Sequence, residues 1–260
     1  MSRTARIDFH IQELEAMKKY PQALFYKGNL ELLQRKKLSI VGSRKPNQYA
    51  RHKTQELAAK LSNAGVCIVS GAAIGVDAIA HKAAGTNNTI AVAATCLDKR
   101  YPAINATLIA QIEAEGLTVS QFEDGSSATR YNFVIRNELV VALGDALIVT
   151  YADENSGTMR SVEFAQKMEK DIYVLAHRIG ESEGTNRLLE DGIAKPIYNI
   201  DSFIQSIAGT ECNKKVDDPF LDFCSSNPSY EEALLQFPSR IFEAELLGEI
   251  VVKNGLIELA

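Results

Sequence analysis

From residue 37 onward, short runs rich in β-branched residues alternate with longer stretches of helical apolar spacing. No other feature constrains the fold as tightly. The runs are 38-LSIVG, 66-VCIVS, 89-TIAVAA, 117-LTVSQ, 146-ALIVT, 172-IYVLA and 196-PIYNI. The intervening stretches include 50-ARHKTQELAAKLSNAG, 76-VDAIAHKAAG, 105-NATLIAQIEAEG, 132-NFVIRNELVVALG and 158-TMRSVEFAQKMEK, several of which end in Gly or Asn as helices do. Parallel strands need long crossover connections, and helices supply them. Because the runs are apolar throughout rather than alternating, both faces of the sheet must be covered. The expected fold is α/β, a doubly wound Rossmann-like sheet that is mostly parallel.

The pattern stops near residue 210. The segment 209-GTECNKKVDDP-219 is polar, contains Gly and Pro, and has no apolar period, so residues 211–218 are expected to link two domains. The first spans 1–210 and includes a short N-terminal extension. Within the second, 219–260, short helices are followed by 249-EIVVKNGLIEL-259, where Asn-Gly between apolar runs signals a hairpin. Helices closed by a hairpin predict a small winged-helix-like domain. Its excess of acid argues against duplex binding through it.

At 260 residues and 46% hydrophobic side chains, the chain has material for one large domain and a small appendage. No 18 apolar residues run together, and 1-MSRTARIDFHIQELEAMKKYPQ has no apolar stretch behind its basic residues. A cytoplasmic chain without a membrane partner is expected. Cys67, Cys96, Cys212 and Cys224 lie far apart with no C-x-x-C pair, which gives neither a zinc site nor a disulfide framework. The net charge of −5 is unevenly spread. Residues 1–60 carry 13 Lys/Arg against 5 Asp/Glu, residues 61–210 carry 11 against 18, and residues 211–260 carry 4 against 10. A local basic face for phosphates is compatible with this distribution; indiscriminate coating of DNA is not.

Ligands of open parallel sheets bind beyond the carboxyl ends of the strands. Five turns fall there: 42-GSRKP, 70-SGAAIG, 95-TCLDKRYP, 129-TRYNFVIRN and 156-SGTMR. Gly42, Gly71 and Gly75 permit close backbone approach, and the helix starts that follow point amides at an anion. Ser156 or Thr158 offers a further donor at another helix start. The spacing is neither G-x-G-x-x-G nor G-x-x-x-x-G-K-[ST], so neither a dinucleotide nor a P-loop site is expected. Phe133 and Arg136, three apart, share a helix face near Arg130 and Tyr131. Aromatic rings and guanidinium groups together suit an unpaired nucleic-acid strand, while core packing and a helix salt bridge are the alternative. Asp77 and His81, four apart, are expected to be structural, with His81 bonded to Asp77 or to backbone. Asp98, Asp153 and Glu154 give only weak spacing for Mg²⁺, and no metal or cofactor is expected.

The motifs 41-VGSRKPNQYA, 69-VSGAAIGVDAIAH, 97-LDKRYPAIN, 133-FVIRN, 156-SGT and 184-GTNRLLEDG together resemble the DNA-processing protein A (DprA/Smf) family, over roughly residues 25–200. The end of the chain resembles the small C-terminal domain of epsilon-proteobacterial members. The resemblance implies an extended Rossmann fold that forms homodimers, binds single-stranded DNA and helps load RecA during natural transformation, without catalysis. It implies a pocket including Arg44, Arg130, Phe133, Asn137 and Lys167, bordered by Gly42, Gly71 and Gly157, with Ser43, Ser70 and Arg136 in the same motifs. Dimerisation would involve residues around 184–200. Glu138 stands where many members have Arg, which is expected to weaken or reshape the pocket. Ala72 replaces a usual Gly, as though one close backbone approach were dispensable. The competing expectation is a nucleotide phosphoribohydrolase resembling the LOG family, whose P-G-G-x-G-T-x-x-E motif ends in a catalytic glutamate; here Ser161 occupies that place.

Overall fold

The computed structural model describes residues 4–126, 129–208, 219–224, 228–253 and 255–259, without the side chains of Arg130, Asp222, Leu246 and Leu259. The expected linker and Cys212 lie outside the described residues. The chain forms two compact units, Met1–Gly209 and Thr210–Ala260.

In chain order the first unit contains β1 (Ala5–Arg6), β2 (Phe25–Gly28), β3 (Lys37–Val41), α1 (Gln48–Asn63), β4 (Cys67–Ser70), α2 (Val76–Ala84) and β5 (Thr89–Val92). It continues with α3 (Ala106–Glu115), β6 (Leu117–Ser120), α4 (Arg130–Leu143), β7 (Ala146–Val149), α5 (Thr158–Lys167) and β8 (Ile172–Leu175). The last elements are α6 (Glu183–Glu190), β9 (Lys195–Ile197) and α7 (Ile200–Ala208). The strands form one sheet in the order β1-β2-β6-β5-β4-β3-β7-β8-β9. All pairs from β6 to β9 are parallel, whereas β1–β2 and β2–β6 are antiparallel.

Strand alternation divides the core into two layers. Leu38, Ile40, Ile68 and Ile148 face Leu57, Leu61, Val76 and Ala80 of α1 and α2. Val41, Val69, Leu147 and Val149 face Leu139, Val140, Leu143 and Val162 of α4 and α5. The expected doubly wound, mostly parallel sheet is therefore present. The N-terminal extension is more than an appendage, because β2 adds to the sheet beside β6 and Leu14, Leu24, Leu32 and Leu33 join the second layer. Two side-chain hydroxyls fasten helices to strands: Ser39 Oγ donates to the Val140 carbonyl at 2.6 Å, and Thr54 Oγ1 meets Thr150 Oγ1 at 2.8 Å.

The second unit contains α8 (Pro219–Cys224), α9 (Tyr230–Gln236), α10 (Pro238–Leu247), β10 (Ile250–Lys253) and β11 (Leu256–Leu259). The two strands pair antiparallel, Ile250 opposite Leu259, and Gly255 in the turn has φ 80°. Phe220, Cys224, Ala233, Ile241, Ala244, Ile250 and Ile257 form its core.

Candidate nucleic-acid interface

The strand order reverses at β3, whose neighbours are β4 and β7. Loops leaving adjacent strands there diverge to opposite faces and open a crevice. The turns after β3, β4 and β7, with one face of α4, line a cavity of about 410 Å³. Gly42, Ser43, Arg44, Gly71, Phe133, Arg136, Asn137 and Gly157 all line it, as do Ser156 and Thr158.

Its glycines serve different physical ends. A Cβ on Gly42 would stand 2.6 Å from Val76 Cγ2, and one on Gly71 would collide with the Arg136 guanidinium, so packing excludes side chains at both. Gly75 has φ 85° and lies against the backbone of Ser43 and Arg44. Gly157 differs, since a Cβ there would meet no atom within 4 Å. Among the described residues the Gly157 and Thr158 amides at the start of α5 donate to no acceptor, and the buried Ser156 hydroxyl has no partner. Unpaired amides beside an orphaned hydroxyl are suited to an anion. The Asn137 side-chain amide contacts the Gly157 carbonyl at 3.5 Å and links α4 to this turn.

Arg44 is exposed at the rim and pairs with no acidic group among the described residues. Arg136 is its opposite: 6% exposed, with Nη1 donating to the carbonyls of Gly71 and Val92 and Nε to Asn137 Oδ1 at 3.1 Å. Arg136, expected as a strand-binding guanidinium or in a helix salt bridge, is a buried clamp joining the ends of β4 and β5 to the cavity wall. Burial pushes its pKa down, although Asp77 acts against this. Asp77 is also buried, and burial raises its pKa against the pull of Arg136. The cavity thus places one carboxylate beneath one guanidinium, leaving Arg44 as the rim's unpaired cation.

Phe133 meets Tyr101 edge to face, with centroids 5.8 Å apart and planes at 68°. Between them a niche of about 70 Å³ is walled by Ile74, Ala94, Pro102 and Arg44. Neither Tyr101 nor Arg160 was singled out by sequence spacing. Tyr101 is 53% exposed in a marked turn, so its position after β5 was the available signal. Arg160 also lines the cavity but is bound to Glu163 Oε2 at 2.9 Å.

Other expected residues lie elsewhere. Ser70 is fully buried and donates to the Ile40 carbonyl at 2.6 Å, stitching β4 to β3. Lys167 is exposed at the far end of α5, nine residues and about 14 Å from the helix start, and does not line the cavity. Arg130 and Tyr131 belong to the first turn of α4, rather than to a preceding loop, and the Arg130 side chain lies outside the described residues. Glu138 accepts from the Lys18 amide at 2.8 Å and does not line the cavity, so it braces the N-terminal extension instead of reshaping the pocket. Ala72 has φ 55° and is 3% exposed, so the position calls for a left-handed backbone rather than ligand approach. His81 Nδ1 meets Thr89 Oγ1 at 2.6 Å rather than Asp77, and burial holds its pKa near 3 against the opposing effect of a backbone contact at Ser70.

Among the described residues no three His, Cys, Asp or Glu side chains converge as a metal site requires. Cys67 and Cys96 are in no disulfide. No described helix is long and apolar enough to cross a membrane.

A switch-point crevice with unpaired amides, a free arginine and an aromatic pair defines a Rossmann-like protein fitted to phosphate-bearing ligands. Residues 7–208 match the family model for DNA recombination-mediator protein A, and the chain belongs to that family. It is 36% identical over 176 residues to DNA processing protein DprA of Streptococcus pneumoniae, covering 66% of this chain and 62% of the relative. To Protein Smf of Synechocystis it is 34% identical over 180 residues, 66% of this chain and 45% of the relative. The chain spans about half the length of the curated relatives it matches. The solved structure of DNA processing protein A from Helicobacter pylori, described for a single-stranded DNA binding mode, matches at TM-score 0.77 and 38% identity. That match covers 79% of this chain and 97% of the other. The Streptococcus pneumoniae structure matches at TM-score 0.73 and 31% identity, covering 79% of this chain and 74% of that one.

Proposed function

We propose that the protein binds single-stranded DNA at this crevice and acts, without catalysis, as a cytoplasmic recombination mediator that helps load RecA during natural transformation. One observation carries the binding claim: unpaired amides and an unpaired cation share a rim with an aromatic pair, half-buried Phe133 and exposed Tyr101. Phosphates are held by the Gly157 and Thr158 amides, the Ser156 hydroxyl and Arg44. Bases stack on Phe133, with Tyr101 behind it. Stacking on aromatic faces tolerates any base, which suits incoming DNA of arbitrary sequence. Gly42, Ser43, Gly71 and Asn137 shape the wall, and Arg136 supports it from beneath. Arg130, at the start of α4, is kept as a DNA contact on the sequence reading.

The absence of catalysis is supported by the carboxylate inventory of the cavity. Ser161, 2% exposed, lines the wall where a phosphoribohydrolase would carry its glutamate. Asp77 is engaged with the Ala73 amide at 3.3 Å beneath Arg136. Homodimer formation through residues 184–200 fits β9 as an edge of the sheet, flanked by Tyr198 at 82% exposure. Membership of the DNA recombination-mediator protein A family supports the recombination-mediator reading.

Fluorescence anisotropy with labelled oligo-dT at two salt concentrations tests the binding claim. Arg44→Ala is expected to weaken binding and lower the salt slope by about 0.7, the share of one phosphate contact on a single strand. Equal affinity and slope for both proteins would refute it. Release of free base from AMP, lost on mutating the crevice, would establish the enzymatic alternative.

A further inference from the structure

On α1, Gln48, Arg51, His52 and Gln55 are spaced i, i+3, i+4 and i+7, so they form one stripe on the helix. With Ile79 of α2 they line an open groove of about 370 Å³, separate from the crevice. None of the four side chains makes a hydrogen bond or ion pair among the described residues, and the groove lining contains no carboxylate. The acid of this helix, Glu56, is already bound to Lys53 at 2.7 Å and Lys60 at 3.2 Å. Lys82, three residues beyond Ile79 and on the same side of α2, is exposed and likewise has no acidic partner among the described residues. A polar stripe with one uncompensated arginine and no carboxylate, over a partly apolar floor, is unlike an ordinary solvated helix face, where opposite charges intersperse.

Its position connects it to the crevice. The turn carrying Arg44 leads within four residues into Gln48, and the Val76 amide at the start of α2 donates to the Ser43 carbonyl at 3.2 Å. Arg44 lines both the crevice and the niche beside Phe133, and the groove lining starts at Gln48, four residues further along the chain. Its stripe runs about 10 Å along α1.

We propose that this α1–α2 groove is a second binding site, which takes the sugar-phosphate backbone of the strand leaving the crevice. The inference rests on the single-strand reading above, with Arg51 as the phosphate contact and His52, Gln48 and Gln55 as further donors. Ile79 packs against the sugar edge. The crevice then supplies the stacked bases, while the groove adds length and salt sensitivity.

The test compares the full-length protein with Arg51→Ala and Arg51→Glu on oligo-dT of about 5 and about 15 nucleotides, within the site-size range of single-strand modules. One released counterion contributes about fivefold at 0.1 M salt. Arg51→Ala is therefore expected to weaken the longer oligomer about fivefold and reduce its salt slope by about 0.7, leaving the shorter one unchanged. Arg51→Glu weakens the longer oligomer further. Circular dichroism on each variant shows that the fold is retained. If Arg44→Ala weakens both lengths while the Arg51 variants weaken neither, the groove is overturned and the crevice stands. Equal loss at both lengths would also overturn a separate groove. If no variant affects either oligomer, the single-strand reading itself fails.

Discussion

Gly157→Ala separates stability from binding, because at this position the two should move in opposite directions. The residue has φ −60° and ψ −21°, right-handed values that alanine adopts without strain, and an added Cβ meets nothing within 4 Å. Exchanging glycine for alanine at such a site restricts the unfolded chain and is expected to stabilise the protein by about 0.4–1 kcal/mol. For a unit of this size that raises Tm by about 1–4 °C. The new methyl stands at the start of α5, where the free amides face the cavity. Blocking one amide–phosphate hydrogen bond costs about 1.5–3 kcal/mol, roughly a 10- to 150-fold rise in Kd. Differential scanning fluorimetry and oligo-dT anisotropy on the same preparation measure both effects. A variant with higher Tm and unchanged affinity would refute phosphate binding at this helix start. Lower Tm would refute the steric reasoning.

Phe133→Ala removes the half-buried ring of the edge-to-face pair and is expected to lose about 1–3 kcal/mol of oligonucleotide binding, read as Kd. Gly71→Ala drives a methyl into the Arg136 guanidinium, and its expected signature is lowered Tm, unlike Gly157→Ala. Arg100→Ala unpairs Glu113, which is 4% exposed and held by Arg100 at 2.7 Å, with Lys27 a second partner at 3.8 Å. Urea denaturation should show a loss of about 3 kcal/mol, the low end for breaking a buried pair because Lys27 remains. His81 is buried neutral, its pKa lowered from 6.5 to about 3. Its unfolded form takes up a proton that the folded form refuses, so this contribution is complete above pH 6.5 and declines as pH falls towards 3. Between pH 7 and pH 5 it removes about 2 kcal/mol, and His81→Gln should lack that component in urea titrations at the two pH values.

The strands β3 to β9 were legible because each is a short apolar run bounded by a helix pattern, and β-branched content settled their type. The edge formed by β1 and β2 was not, since two and four residues carry no measurable period and their pairing depends on β6, about 90 residues later. In the site, the glycine turns were visible from their place after strands. Arg136 shows the limit: its spacing from Phe133 gives a shared helix face, but only the sheet places the Gly71 and Val92 carbonyls beneath the guanidinium. Lys167 lies away from the cavity for a related reason, because a helix that begins at the cavity carries its own end away from it. Tyr101 and Phe133 are 32 positions apart, and no local pattern brings them together.

The most direct measurement is photo-crosslinking of the full chain to an oligonucleotide bearing 5-iododeoxyuridine, with the modified residues located by mass spectrometry. Adducts on Phe133 or Tyr101 are the predicted result. Adducts confined to residues 219–260, with the crevice unmodified, would contradict it.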